Sequence, residues 1–289
     1  MVKVVKNSAN KSDKKIKVFM SAKSDIIFKL LFGNELNKDL LVKFLMAVLK
    51  LPLDEYTDIQ ITDPQSKRRY KGDKLAILDI KVKTATGKTV NIEIQIDVPP
   101  EMRERILLYD AKMITEQIKS GDNYDVIKKV ISIVITGEVF ISEHNKYHDR
   151  FILYSPETNT ELTDLIEIHT LELPKLTKAS DGTALWNWME FIKAESELNM
   201  LAQKSPEMKA PIEKLLEINQ DPTARMLYEA REKQRRDMMS RERKASRDGE
   251  RKGRIKDARK MLAKNMSIDD IMDITELSRE EILALNKAD

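Results

Sequence analysis

VNIEIQIDV, at residues 90–98, is the stretch that decides the fold, because its side chains alternate in polarity with a period of two. Its apolar and polar residues fall on opposite sides of one extended chain: Ile92, Ile94 and Ile96 on one side, and Asn91, Glu93, Gln95 and Asp97 on the other. This period predicts a β-strand over Val90–Ile96 with two different faces. Pro99 and Pro100 end that strand and open a helix predicted over Glu101–Ser120.

A second segment, Val130–Thr136, is almost continuously apolar and β-branched, which predicts a strand buried on both faces at the centre of a sheet. Helices are predicted to begin near Asp25 and Asn37, where apolar residues recur at helical spacing. The further predicted strands are Tyr56–Thr62, Leu75–Val82, Arg150–Tyr154 and Leu165–Leu173. The resulting order, two helices, three strands, one helix and three strands, predicts an α/β domain with a mixed central sheet flanked by helices.

The chain after Thr183 has a helical pattern to its end, so an all-α C-terminal region is predicted. Residues 225–260 are polar on every side, which is typical of a long, solvated, charged helix. We therefore predict four parts: a basic flexible N-terminal arm, an α/β core, a helical extension, and a basic long helix with a small helical module. Their boundaries are 1–20, 21–175, 176–224 and 225–289, respectively.

Composition excludes several classes of protein. The 289 residues include no cysteine and three histidines, so disulfide frameworks, thiolate zinc sites and cysteine nucleophiles are excluded. The sequence has no phosphate-binding glycine loop, no dinucleotide fingerprint and no serine-hydrolase elbow. It also has no apolar run of membrane-spanning length and no secretory signal, so we expect a cytoplasmic protein without a membrane partner.

Charge is unevenly distributed along the chain. The net charge is +6 over residues 1–23, −7 over 24–224, +8 over 225–260 and −4 over 261–289. An acidic body between two basic arms is consistent with nucleic-acid contact through the arms, although composition alone favours a solvated tail and a charged helix. The candidate DNA contacts on the long helix are Arg235, Arg236, Arg243, Lys244, Arg251 and Lys252.

Two acids carry the candidate chemistry. Asp79 and Glu93 lie on predicted strands joined by a short glycine turn, and Gln95 shares a face with Glu93. If the two strands pair, both carboxylates and the backbone carbonyl of Ile94 could bind Mg²⁺, which prefers hard oxygen ligands. Such an ion supports phosphodiester hydrolysis. The alternative is an ordinary pair of solvent-facing strands with alternating polar residues.

A series of short motifs in a fixed order resembles the recombination-promoting nuclease and transposase family of the PD-(D/E)XK nuclease superfamily over roughly residues 21–175. The motifs are Asp25-x-x-Phe28-Lys29, Leu31-Phe32-Gly33, Asn37-x-x-Leu40-Leu41-x-x-Phe44-Leu45, Leu78-Asp79-Ile80-x-Val82, Val90-Asn91-Ile92-Glu93-Ile94-Gln95, Arg105-x-x-x-Tyr109, Gln117-x-x-x-Gly121-x-x-Tyr124 and Val130-Ile131-x-Ile133. The resemblance implies a restriction-endonuclease-like core, dependence on Mg²⁺ and cleavage of DNA.

The resemblance also assigns roles by position. Asp79 looks like the motif aspartate, and Glu93 looks like the second metal-binding acid. Gln95 stands where the superfamily name expects a lysine, and Leu78 stands where it expects a proline. Glutamine carries no charge and cannot act as a base. The resemblance implies, however, that glutamine is usual at this position in the family, so activity is not excluded.

Three further residues receive supporting roles. Asp25 looks like the helix acid that orients the ion or binds it, so it is a further candidate ligand. Gln117 resembles a supporting polar residue on the helix after the core strands. Lys81 shares a strand face with Asp79 and could supply the missing positive charge, although a solvated strand lysine is the simpler interpretation.

The leading hypothesis is a Mg²⁺-dependent DNA endonuclease, with Mn²⁺ as a substitute ion, that assists recombination or transposition. Asp79, Glu93 and Gln95 would be its catalytic residues. The alternative is a catalytically weak or inactive descendant of the nuclease fold that binds DNA or a protein through its basic arms. A third hypothesis makes residues 225–289 an oligomerisation arm, which would give a homo-oligomer.

Overall fold

The computed structural model describes residues 20–64, 79–194 and 198–286. Most of the predicted basic arm, at residues 1–19, lies outside the described residues. The first part of the predicted strand Leu75–Val82 also lies outside them, as does Leu78 of the motif series.

The core of the protein is a mixed six-stranded sheet. Its strands are β1 (Gln60–Thr62), β2 (Ile80–Lys83), β3 (Thr89–Gln95), β4 (Val130–Thr136), β5 (His148–Ser155) and β6 (Thr160–Glu172). They are arranged in the order β1-β2-β3-β4-β6-β5. The pairs β3–β4 and β4–β6 are parallel, and the other three pairs are antiparallel.

The centre of the sheet follows the sequence prediction closely. Strand β4 has the predicted bounds, all of its residues are buried, and it lies between β3 and β6. The prediction for Tyr56–Thr62 was wrong at its start. Leu53–Tyr56 forms a 3-10 turn, and the strand begins at Gln60. Tyr56 donates its hydroxyl proton to the carbonyl of Leu49, which fixes it against the preceding helix rather than in the sheet.

Nine helices are formed within the described residues. They are α1 (Asp25–Phe32), α2 (Lys38–Val48), α3 (Met102–Thr115), α4 (Ala184–Lys193), α5 (Leu198–Lys204), α6 (Lys209–Gln220), α7 (Pro222–Ala263), α8 (Ile268–Thr275) and α9 (Arg279–Asn286). The mixed sheet with flanking helices and a long C-terminal helix confirms the predicted fold class.

The two faces of β3 and β4 are covered by different elements. The apolar face, with residues such as Ile92 and Ile133, belongs to one large core together with residues of α1, α2, α4 and α6. On the opposite face, Ile106 of α3 packs with Val134, and Met113 of α3 packs with Val130. Helix α3 therefore covers the face of the sheet that carries the polar residues of β3.

Five aromatic side chains fill the middle of the large core. Phe32 and Phe44 lie 5.7 and 5.8 Å from Trp188, measured between ring centroids, and Phe191 lies 5.9 Å from the same ring. Phe28 completes the cluster at 4.7 Å from Phe32. Because aromatic pairs of this kind stabilise a core beyond their buried area, they hold α1, α2 and α4 together.

The chain forms two compact units, one ending at Tyr228 and one beginning at Glu229. The second unit has its own small core of Ala258, Ile271, Leu277 and Ile282. The predicted division into four parts stays a prediction. No helix in residues 20–64, 79–194 or 198–286 combines the length and the apolarity needed to cross a membrane.

Gly137, directly after β4, lies close to the backbone of Ile96, the residue that follows β3. A Cβ atom there would lie 2.6 Å from the carbonyl oxygen of Ile96 and 2.8 Å from its Cα. We expect Gly137→Ala to lower the free energy of unfolding by about 1–3 kcal/mol, because the added methyl group overpacks this contact. Urea denaturation followed by circular dichroism would measure the loss.

Gly249→Ala is the matched control for this prediction. Gly249 lies within α7, and an added Cβ would meet nothing within 4 Å among the described residues. Alanine favours a helix by about 1 kcal/mol over glycine, so this variant should be neutral or more stable. Equal stability of Gly137→Ala and the wild type would contradict the close approach.

Candidate active site

The pairing of β2 with β3 brings Asp79 beside the polar residues of β3. The antiparallel register places Ile80 opposite Ile92 and Lys81 opposite Asn91. Asp79 directly precedes β2, and its Oδ2 atom accepts a hydrogen bond of 3.0 Å from the backbone N–H of Ile94. The aspartate is therefore bound to the residue that follows Glu93 in the chain.

The carbonyl of Ile94 faces the same strand edge as its N–H group. In a β-strand, the N–H and C=O groups of one residue point to the same side of the strand. Because the N–H of Ile94 binds Asp79, the carbonyl oxygen also points toward the β2 edge. A carboxylate and a backbone carbonyl are thus presented at the same edge of β3.

Glu93 is nearly buried, with 5% of its side chain exposed. One carboxylate oxygen, Oε1, forms an ion pair with the guanidinium of Arg105 from α3. The other, Oε2, is buried and has no hydrogen-bond partner among the described residues. An unpaired buried carboxylate oxygen is costly, so this atom is a site at which a further ligand would be stabilising.

Arg105 also binds Gln95. Its Nη2 atom donates a hydrogen bond of 3.1 Å to Oε1 of Gln95, and the Gln95 amide group donates at 2.7 Å to the carbonyl of Asp97. The guanidinium lies 5.7 Å from the ring centre of Tyr109, one helical turn further along α3. Arg105 is not among the predicted site residues, although the spacing Arg105-x-x-x-Tyr109 is part of the motif series.

Helix α1 contributes through Lys29. Its ammonium nitrogen lies 2.9 Å from Oδ1 of Asp79. Asp25 lies one turn earlier on the same face of the helix, and its Oδ1 atom accepts from the N–H of Ile26 at 2.9 Å. The helix that carries Asp25 therefore reaches Asp79 through Lys29, a residue to which the motif series assigns no role.

The two supporting residues lie toward the other end of α3. Lys81 forms an ion pair of 3.0 Å with Glu116, which directly follows the helix. The Gln117 amide donates to the carbonyls of Met113 and Lys128 and accepts from the N–H of Lys128. Gln117 thereby joins the helix end to the segment before β4.

The predicted helix Glu101–Ser120 was five residues too long at its end, since α3 ends at Thr115. The reason lies in how the last carbonyls are bonded. The backbone N–H of Gln117 binds the carbonyl of Ile114, while its side chain takes the carbonyl of Met113. The side chain replaces a helical hydrogen bond, and the backbone leaves the helix.

A buried acid lies beside this site on the α3 face of the sheet. Asp110 of α3 accepts a hydrogen bond of 2.5 Å from the hydroxyl of Ser132, which lies opposite Asn91 in the β3–β4 register. Burial raises the pKa of Asp110 to about 7. The oxygens Oδ2 of Asp110 and Oδ1 of Asn91 are buried without a hydrogen-bond partner among the described residues.

The basic residues singled out on the long helix lie along α7. Five of the six are exposed, namely Arg236, Arg243, Lys244, Arg251 and Lys252. Arg251 forms an ion pair of 2.9 Å with Glu281 of α9, and Arg235 lies 4.0 Å from Glu232. Part of the positive charge of the helix is therefore neutralised within the second unit.

A family model described as PD-(D/E)XK nuclease family transposase matches residues 22–245. The chain belongs to this family. The match extends beyond the region in which the motif series was found, and it confirms the resemblance. The six-stranded sheet with its flanking helices is consistent with the PD-(D/E)XK fold. Searches of curated proteins and of solved structures found no match.

PD-(D/E)XK nucleases typically use divalent metal ions, and the oxygens at this site fit such an ion. The candidate ligands are the carboxylates of Asp79 and Glu93 and the carbonyl of Ile94, with Oε2 of Glu93 already lacking a partner among the described residues. Within the part of the chain that the structure describes, three or more acids or histidines nowhere form a metal-binding cluster. Mg²⁺ is usually bound through one or two carboxylates together with waters and substrate phosphates, so a donor set of this size is compatible with a divalent ion.

Proposed function

We propose that this PD-(D/E)XK nuclease family transposase is a Mg²⁺-dependent DNA endonuclease that assists recombination or transposition. The observation that supports it most directly is the placement of Asp79 on the backbone of Ile94, next to a buried Glu93 with an unbonded oxygen. Asp79, just before β2, and Glu93, on the paired strand β3, would together with the carbonyl of Ile94 supply a donor set of hard oxygens.

The proposed roles follow from these contacts. Asp79, Glu93 and the carbonyl of Ile94 would hold the ion, with Asp25 as a further candidate ligand. When bound, a divalent ion lowers the pKa of water and stabilises negative charge on a phosphoryl group. Lys29 holds the carboxylate of Asp79 in position through its ion pair. Gln95 would orient the attacked phosphate or the water through its amide group.

DNA is the proposed substrate, and the basic surface of α7 is the proposed site of backbone contact. Arg236, Arg243, Lys244 and Lys252 are exposed along this helix. Contacts of this kind go to phosphates, bind DNA without reading its sequence and weaken as salt concentration rises. Arg235 and Arg251 would first have to exchange their acidic partners for phosphates.

Plasmid nicking tests the proposal. The wild-type protein should convert supercoiled plasmid to the nicked form in Mg²⁺ or Mn²⁺, and chelation should stop it. We expect Asp79→Asn to reduce the rate at least about a hundredfold, because it removes the charge that would bind the ion. Asparagine still offers an oxygen to the N–H of Ile94, so the strand pairing should persist.

Asp58→Asn is the control, since Asp58 is an exposed acid just before β1. Unchanged nicking by Asp79→Asn would contradict the assignment of Asp79. A wild-type protein that binds DNA but does not nick it in either ion would instead support the catalytically inactive descendant.

A further inference from the structure

Arg105 contacts two of the three proposed catalytic residues. It forms an ion pair with Glu93 and donates to Gln95 at 3.1 Å, and 27% of its side chain is exposed. Its Nε atom is buried with no hydrogen-bond partner among the described residues. A guanidinium has five N–H donors, so Arg105 can hold both residues and still donate to a further acceptor.

We propose that Arg105 is the resident cation of this site. It neutralises Glu93 before a divalent ion binds, and afterwards, still bonded to Gln95, it binds the scissile phosphate. This inference rests on the proposed endonuclease function. In the superfamily motif, a lysine at the position of Gln95 would supply a positive charge. Gln95 is uncharged, and Arg105 on α3 supplies that charge instead.

Among the described residues, two other cations on these elements are engaged with different acids. Lys29 is paired with Asp79, and Lys81 is paired with Glu116. Arg105 is the cation that touches both Glu93 and Gln95 in the part of the chain that the structure describes. Arginine binds phosphate through two parallel N–H donors, and its partial exposure leaves it open to a substrate.

Competition for Glu93 follows from this arrangement. A divalent ion and the Arg105 guanidinium would both bind the same nearly buried carboxylate, and like charges at one site repel each other. Coupling between two such sites typically changes affinity by about 5–150-fold. Removing the charge of Arg105 should therefore tighten ion binding while it slows cleavage, whereas a purely structural ion pair would weaken both.

The test compares Mn²⁺ binding, measured by calorimetry at pH 8, with plasmid nicking in the full-length chain. We expect Arg105→Gln to bind Mn²⁺ at least about fivefold more tightly than the wild type. The same variant should nick at least about a hundredfold more slowly. A loss of this size is typical when a hydrogen-bond donor to the charge that develops in the transition state is removed. Arg105→Lys keeps the charge but not the planar fork, so it should recover part of the nicking rate.

Arg103→Gln is the matched control. Arg103 lies two residues earlier in α3, pairs with Glu143 at 3.4 Å and lies 5.8 Å from the ring centre of Phe140. It thus makes the same two kinds of contact as Arg105 with residues outside the site. Its replacement should leave both Mn²⁺ affinity and nicking unchanged.

Each other outcome overturns the inference. If Arg105→Gln binds Mn²⁺ equally or more weakly, or nicks at the wild-type rate, Arg105 is not the resident cation, and the endonuclease proposal stands. If the wild type neither binds Mn²⁺ nor nicks DNA, the endonuclease proposal fails as well. Thermal unfolding with and without Mn²⁺ provides a second readout, since tighter binding gives a larger rise in the unfolding temperature.

Discussion

Glu93→Gln should slow Mg²⁺-dependent nicking by about a thousandfold or more, an increase of about 4 kcal/mol in the activation free energy. The substitution keeps the size of the side chain but removes its charge. It leaves Arg105 without its ion-pair partner, and it replaces the unbonded oxygen Oε2 with a poorer ligand or with an N–H group. Both changes act on the same small set of oxygens, so we also expect calorimetric Mn²⁺ binding to be lost.

Loss of stability is the effect that must be separated from loss of chemistry. Removing one partner of a buried ion pair typically costs about 3–5 kcal/mol, and Glu93→Gln strands Arg105 in this way. Nicking is therefore measured at low temperature, with the folded fraction verified by circular dichroism. A rate within tenfold of the wild type, in folded protein, would remove Glu93 from the proposed site.

Glu167→Gln is the matched control for that measurement. Glu167 is also a nearly buried strand glutamate, on β6, and it is held by Lys129 at 2.8 Å, Arg150 at 2.8 Å and His169 at 2.7 Å. Burial by itself would raise the pKa of Glu167, but these bonds together outweigh it and hold the pKa well below its usual range. Its neutralisation should also destabilise the fold, yet nicking per folded molecule should stay within a factor of about three if only Glu93 serves the ion.

The features of this site that depend on neighbouring residues in the chain could be predicted from the sequence. The alternating pattern of β3 predicts that Glu93 and Gln95 share a face, and Arg105 does bind both of them. Strands joined by a short turn pair with each other, so the antiparallel pairing of β2 with β3 could also be anticipated.

The contacts made by helices could not be predicted in the same way. Whether Arg105 or Arg103 faces the strand depends on how α3 is rotated on the sheet, and that rotation is set by the packing of residues such as Ile106 and Val134. The same holds for Lys29, which reaches Asp79 only because α1 packs on the sheet. Helical periodicity gives the spacing of such side chains but not their partners across the fold.

The start of β6 was missed for a different reason. The strand was predicted from Leu165, but it begins at Thr160, where it pairs with the end of β5. The residues that were missed are mostly exposed, so their side chains show no buried face. Backbone pairing alone extends this hairpin, and a pattern of side-chain polarity cannot detect it.

Asp110→Asn should change the pH dependence of stability by about 4 kcal/mol. The pKa of Asp110 is raised to about 7 because burial disfavours its charged form. A raised pKa means that the folded state prefers the protonated acid. The stabilisation is fully present below the unfolded pKa of about 4 and is lost as the pH rises through about 7. A shift of about three units, at 1.36 kcal/mol per unit, corresponds to about 4 kcal/mol.

Asparagine keeps an oxygen that can accept from the hydroxyl of Ser132, and it does not titrate. The variant therefore avoids the loss of stability that the wild type suffers as the pH rises. The free energy of unfolding of Asp110→Asn, relative to the wild type, should therefore increase by about 4 kcal/mol between pH 4 and pH 8. Urea denaturation across this range measures it. Taking the difference between variant and wild type cancels the titration of every other group, and Asp58→Asn, at an exposed acid, should show no such trend.

The result also bears on the charge balance of the site. Asp110 lies over Ser132, which is opposite Asn91, and Asn91 is two residues from Glu93 on the same face of β3. Below about pH 7, where Asp110 is neutral, Glu93 is a buried negative charge on this face that Arg105 balances. A pH trend below about 1 kcal/mol would mean that Asp110 is ionised in the folded protein. This face of the sheet would then carry a second buried carboxylate besides Glu93, which would favour the binding of a divalent cation there.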